Sequence, residues 1–171
     1  MILAVLQART SSSRLPGKVL RPLLGRAMIL RELDRVKECR EIARLVLATS
    51  TDPTDDELAQ TVETAGYDVY RGSLDDVLGR YYHCAQRYMP THVVRLTGDC
   101  PVIDPHIVDR VIAQHVAKRN DYTSTTERFP DGLDTEVMTY AALEKAYQEA
   151  ALPSEREHVT PVSYTHLTLP T

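Results

Sequence analysis

Three cations, Arg9, Arg14 and Lys18, crowd the stretch QARTSSSRLPGKVL from Gln7 to Leu20. Small residues surround them: Ser11, Ser12, Ser13 and Gly17 leave room for a ligand to reach backbone N–H groups, which can surround phosphate oxygens. The two guanidinium groups fit phosphate as forked donors, and the lysine adds a compact mobile charge. The stretch follows the apolar run Ile2-Leu3-Ala4-Val5-Leu6, a strand by length and branching. A buried strand opening into such a loop can hold a triphosphate and neutralise it. It is neither GxxxxGK[ST] nor GxGxxG. The competing reading is a basic surface turn at Pro16-Gly17.

A second candidate sits mid-chain in Thr97-Gly98-Asp99-Cys100-Pro101, where an Asp at a strand end beside glycine can reach a Mg²⁺ ion carried by phosphates. Against this stands a turn-capping Asp. Arg95 lies on the same strand, placed to support a nucleotide or to pair with a neighbouring carboxylate. In Asp131 to Glu136, DGLDTE, the residues Asp134 and Glu136 are expected on one strand face. There they would bind sugar hydroxyls or approach a metal, or else form a solvated face. Asp75 and Asp76 read as first-turn acids complementing a helix dipole.

The elements that must position these groups alternate. The spacing predicts a helix over Ala27–Val36, a strand over Arg44–Thr49, and a helix opened by a capping box at Thr54-Asp55-Asp56-Glu57 and ended by Gly66. A short strand at Asp68–Tyr70 follows, then a helix capped by Ser73 that runs to about Tyr88. Thr91–Leu96 reads as a central strand, and Asp104-Pro105 as a cap with an N1 proline. Tyr122–Thr126 and Leu133–Thr139 read as strands, and Ala141–Ala150 as a helix. Such alternation predicts a three-layer α/β/α sandwich with a largely parallel, mixed sheet, ligands lying beyond the carboxyl ends of its strands.

Five blocks in order, QARTSSSRLPGKVL, RGSLDDVLGRYY, VVRLTGDCPVIDP, DGLDTEV and SEREHVTP, resemble the acylneuraminate cytidylyltransferase family, within it the spore-coat-polysaccharide cytidylyltransferase-like proteins. The resemblance extends to about residue 161. It implies a nucleotide-diphospho-sugar transferase-like fold and transfer of CMP from CTP to a sugar or sugar acid, with Mg²⁺ on Asp99 and pyrophosphate leaving. Arg14, Lys18 and Asp99 would then be catalytic. Leu6, Gln7, Ala8, Arg9, Ser13, Arg71 and Arg95 would complete the nucleotide site, backbone atoms at Leu6–Ala8 reading the base. Asp134, Glu136, Arg156 and His158 would face the sugar. A homodimer is implied for the full-length protein. Another NTP, a sugar-phosphate acceptor, or nucleotide binding without catalysis remain open.

Composition narrows the partners. Asp and Glu number 24 against 20 Lys and Arg in 171 residues, a formal charge of −4, unlike a nucleic-acid binder. Cys39, Cys84 and Cys100 read as small buried hydrophobes of a reducing compartment. His83, His92, His106 and His115 show no ligand spacing, and Tyr81 and Tyr82 read as core. No signal peptide or membrane span is recognisable, so a cytoplasmic protein is expected. The last ten residues, VSYTHLTLPT, break the pattern and read as an in-frame translation of a transposase adapter from DNA library preparation. Native sequence is thus expected to end at Pro161, leaving one domain, residues 1–161, incomplete at its C-terminus.

Overall fold

The computed structural model describes residues 1–11, 15–125 and 129–159. Its centre is β1 (Ile2–Gln7), whose apolar run Ile2–Leu6 reflects cover on both faces. On one flank β1 pairs in parallel with β4 (Arg44–Ser50), and β4 with β5 (Asp68–Gly72). On the other it pairs in parallel with β6 (His92–Thr97). Beyond β6 lie β8 (Glu136–Thr139), antiparallel to β6, and then β7 (Tyr122–Ser124). The sheet order is β5-β4-β1-β6-β8-β7. A separate small hairpin joins β2 (Pro22–Leu23) to β3 (Arg26–Ala27).

The pleat divides the core in two. Ala4, Leu6, Leu47, Val94 and Leu96 point to one face, where α1 (Met28–Val36), α2 (Asp56–Thr64) and α4 (Pro105–Lys118) bring Ile29, Leu33, Leu58, Val62, Val108 and Ile112. Leu3, Val5, Val46, Ala48 and Val93 point to the other, under α3 (Val77–Tyr88) and α5 (Tyr140–Glu149). This is the expected α/β sandwich with a mixed sheet. Among the described residues no helix is long and apolar enough to cross a membrane.

Local signals differ from expectation at three places. Asp52, not the Thr54–Glu57 box, caps the entry to α2: its carboxylate accepts the Thr54 N–H at 2.9 Å across the turn Pro53–Asp55. Asp55 has been drawn away by distant partners. The cap of α3 is Asp76, whose carboxylate accepts the Gly79 N–H at 2.8 Å, while Ser73 Oγ accepts the Asp76 N–H. The last expected strand is shorter, because β8 begins only at Glu136 and leaves Asp134 in the preceding turn. Asp104 caps α4 as the sequence indicates, accepting the His106 N–H at 2.8 Å.

Candidate active site

The cationic loop emerges at the centre of the sheet's carboxyl end. Its neck is closed by a bond from Gly17 N–H to Thr10 carbonyl at 2.9 Å, which sets Lys18 beside Thr10. Lys18 opens the 3-10 turn Lys18–Leu20, anchored by buried Val19. The neck is then gripped by Asp55. That fully buried carboxylate accepts the Thr10 N–H at 2.7 Å and the Thr10 hydroxyl at 2.8 Å, together with the N–H and hydroxyl of Ser50 at the end of β4. Burial alone would raise the Asp55 carboxyl, but these donors outweigh it and hold it below the usual range.

The mid-chain loop leaves β6 next door. The Gly98 N–H donates to Gln7 carbonyl at 2.7 Å, and a Cβ on Gly98 would lie 2.8 Å from Ala8 Cβ and 2.9 Å from Ile29 Cδ1. Only glycine lets the two loops and α1 meet this closely. The strand turns at once: Asp99 N–H donates to Thr97 carbonyl, and Thr97 hydroxyl to Asp99 Oδ1, each at 2.8 Å. The other oxygen, Oδ2, faces Lys18 Nζ at 3.5 Å. The two loops therefore converge on a half-exposed carboxylate and ammonium.

Asp134 joins them through Cys100. The buried thiol lies 3.8 Å from Asp99 Oδ1 and 3.8 Å from Asp134 Oδ2, and burial pushes it up to about 12, so it remains a thiol. Beneath the loop lies a residue that sequence reading passed over. Glu32 of α1 is fully buried, and its Oε2 accepts the Cys100 N–H at 3.2 Å while Oε1 has no partner among the described residues. Burial pushes its carboxyl up to about 8; Asp99 adds to the rise, and the Cys100 N–H and Lys18 oppose it. The signal was present: Glu32 interrupts the apolar stripe Ile29-Leu33-Val36 of α1.

Other expected site residues are occupied elsewhere. Arg95 sits on the α3 and α5 face, opposite Glu136 in the strand register, and donates to it at 2.7 Å. The pairing reading of Arg95 thus describes its position. Arg71 donates to the carbonyls of Ser50 and Asp52 and to Asp56, bracing the loop after β4. Arg156, on α6 (Pro153–His158), ties that helix to Asp76 at 3.3 Å and to Tyr147 carbonyl at 3.1 Å. Leu6 is buried, Gln7 carbonyl is taken by Gly98, and Ala8 N–H donates to Ala48 carbonyl at 3.2 Å. Arg9 is half-buried at the loop entrance. Ser13 and Arg14, the side chain of His158 and the tail from Val162 lie outside the described residues.

A sheet with a cationic loop after its first strand and a carboxylate loop after a neighbouring parallel strand is the framework of a nucleotidyltransferase. The sequence pattern of the cytidylyltransferase family matches residues 3–170, and the chain belongs to that family. It is 37% identical over 164 residues to the spore coat polysaccharide biosynthesis protein SpsF of Bacillus subtilis, covering 93% of this chain and 68% of that protein. It is 36% identical over 114 residues to the 3-deoxy-manno-octulosonate cytidylyltransferase of Syntrophotalea carbinolica, covering 66% of this chain and 44% of that one. A cytidylyltransferase structure from Leptospira borgpetersenii superposes with a TM-score of 0.91 at 33% identity, over 96% of this chain and 71% of that one.

Proposed function

We propose that this site transfers CMP from CTP to a sugar or sugar acid, releasing pyrophosphate, in the making of a surface polysaccharide. The observation that carries this reading is the approach of Lys18 to Asp99 at 3.5 Å, a cation beside the carboxylate that would bind the metal. Support for the substrate class comes from the relatives, one named for spore coat polysaccharide biosynthesis and one for 3-deoxy-manno-octulosonate.

In the reaction an acceptor oxygen attacks the α-phosphorus of CTP. A new P–O bond forms, the bond to the β-phosphate bridging oxygen breaks with its electron pair, and pyrophosphate departs. The acceptor's proton passes to solvent. Negative charge builds on the departing group, so alignment and charge compensation dominate the barrier. Lys18, with Arg14 and Arg9 from the same loop, would neutralise the pyrophosphate. Asp134, in the turn before β8, would accept a hydroxyl of the acceptor or approach the metal.

Asp99 and Asp134 suit Mg²⁺, which takes hard oxygen donors and commonly one or two carboxylates. Among the described residues no group of three or more His, Cys, Asp or Glu could hold a metal, so phosphate and water would supply the remaining positions. When bound there, Mg²⁺ would contribute Lewis-acid charge at the α-phosphate.

Pyrophosphate release with each of the four nucleoside triphosphates, against a panel of sugar acids and sugar phosphates, tests the reading. CTP- and metal-dependent release with a sugar acid is expected. Preference for another nucleotide would shift the donor, and CTP binding without release would make the chain a non-catalytic nucleotide binder.

A further inference from the structure

Helix α1 and the residues just after it lie along the whole carboxylate loop. Ile29 packs under Gly98, Glu32 accepts the Cys100 N–H at 3.2 Å, Arg35 Nε donates to Ile103 carbonyl at 2.6 Å, and Cys39 Sγ reaches Pro105 carbonyl at 3.6 Å. Ile29, Glu32 and Arg35 follow one another at i, i+3 spacing on α1, and Cys39 lies in the chain just beyond its end. The helix thus acts as a rail on which the segment from Gly98 to Pro105 is laid.

Three of these contacts are what a packed helix and loop would make in any protein. Glu32 is different. A fully buried carboxyl with one oxygen unpartnered is unfavourable in a core, and an apolar residue of the same size would fill the place better. It stands one residue from Asp99, on the N–H that follows it. Cys100, whose N–H it receives, also carries the thiol between Asp99 and Asp134.

We infer that Glu32 is a positioning residue for the metal-binding carboxylates: by holding the Cys100 N–H it fixes the turn that aims Asp99, and with it the Cys100 side chain between Asp99 and Asp134. This rests on the proposed reading of the Asp99 site. Groups that orient metal ligands from behind typically change metal affinity or activity 10–100-fold when removed.

The test uses the whole chain, with Mn²⁺ as probe in the presence of CTP, followed by electron paramagnetic resonance. Glu32→Met keeps the volume and removes the acceptor; Glu32→Gln keeps an oxygen opposite the Cys100 N–H. We expect E32M to weaken Mn²⁺ binding about 10–100-fold while its unfolding remains cooperative, and E32Q to restore wild-type binding. Turnover should fall in E32M more than KM for CTP rises. E32M binding Mn²⁺ as tightly as wild type, or E32Q failing alongside E32M, would overturn the inference. Failure of the wild type itself to bind Mn²⁺ with CTP would instead overturn the reading of the site. If E32M does not fold, Glu32→Leu at the same position carries the same comparison.

Discussion

Lys18 Nζ stands 3.5 Å from Asp99 Oδ2, although 81 positions of sequence separate the two residues and they leave the sheet from different strands. Both side chains are substantially exposed, so the pair itself adds at most about 1 kcal/mol to folding. Its importance lies in the charge it gathers. Lys18→Ala and Asp99→Asn are each expected to lower pyrophosphate release by roughly 10²–10³-fold, with thermal midpoints close to wild type. Near-normal turnover in either variant would remove the basis of the proposed mechanism.

Gly98 separates the loops by the width of a hydrogen. Gly98→Ala places a methyl 2.8 Å from Ala8 Cβ and 3.1 Å from the Gln7 carbonyl, neither of which can swing aside without moving backbone. We expect a loss of about 1–3 kcal/mol from overpacking, read by urea unfolding, and an activity loss larger than the stability change explains. A neutral effect on both would show that the loops have slack.

Asp55 holds Thr10 to Ser50 from a buried position. Asp55→Asn sets an amide N–H among donors and is expected to cost about 2–4 kcal/mol. Because the folded carboxyl lies below its ordinary value, its contribution is present above the unfolded pKa and fades as pH falls through the folded one. The gap between wild type and variant should therefore narrow in acid. A gap independent of pH would place the stabilisation elsewhere.

His115 is buried on α4, its Nδ1 3.0 Å from Thr123 Oγ1 and its ring edge-on to His92. Burial pushes it down to about 4, with His92 adding to the fall and Asp121 opposing it. The unfolded chain then binds the proton more readily, so stability is lost as pH drops from about 6.5 to about 4, on the order of 3 kcal/mol in full. Chemical denaturation across that range should show the slope in wild type and a shallower one in His115→Gln. Equal slopes would acquit His115.

Arg95 and Glu136 form a cross-strand pair beneath Tyr81, with Arg95 Cζ 5.7 Å from its ring centre. Burial raises the Glu136 carboxyl, and Arg95 is the strongest of the groups that pull it back. Arg95→Met alone should cost about 3–5 kcal/mol by stranding the carboxylate, and Arg95→Met with Glu136→Met should recover most of it. KM for CTP in the double variant separates a structural pair from a nucleotide contact: no change is expected, and a marked rise would return Arg95 to the nucleotide.

The parts of the site that sequence conveyed are those in which local chemistry and long-range order agree. The run Ile2–Leu6 is apolar throughout because β1 is central, and the Asp104-Pro105 cap works within a single turn. The failures have different origins, a distant partner in one case and an overlooked local one in another. Thr54–Glu57 has the form of a capping box, yet Asp55 turns to Thr10, 45 residues away, and Asp52 takes over the cap. Asp76 looked like a dipole-complementing acid, but Gly79, with no space for a Cβ beneath that carboxylate, was the sign of a cap. The segment Leu133–Thr139 suggested a strand without revealing its antiparallel direction or its late start, which leaves Asp134 in a turn against Cys100.

The central position of β1 has a consequence for synthesis. Met1 and Thr91 pair although they are 90 positions apart in sequence, so one edge of the first strand stays bare until β6 has left the ribosome. At ordinary elongation rates that interval is roughly 5–20 s. During it an uncovered apolar edge is available to other nascent chains. Holdase chaperones should consequently raise the yield of this protein by acting on β1, long before the segment bearing Asp99 exists.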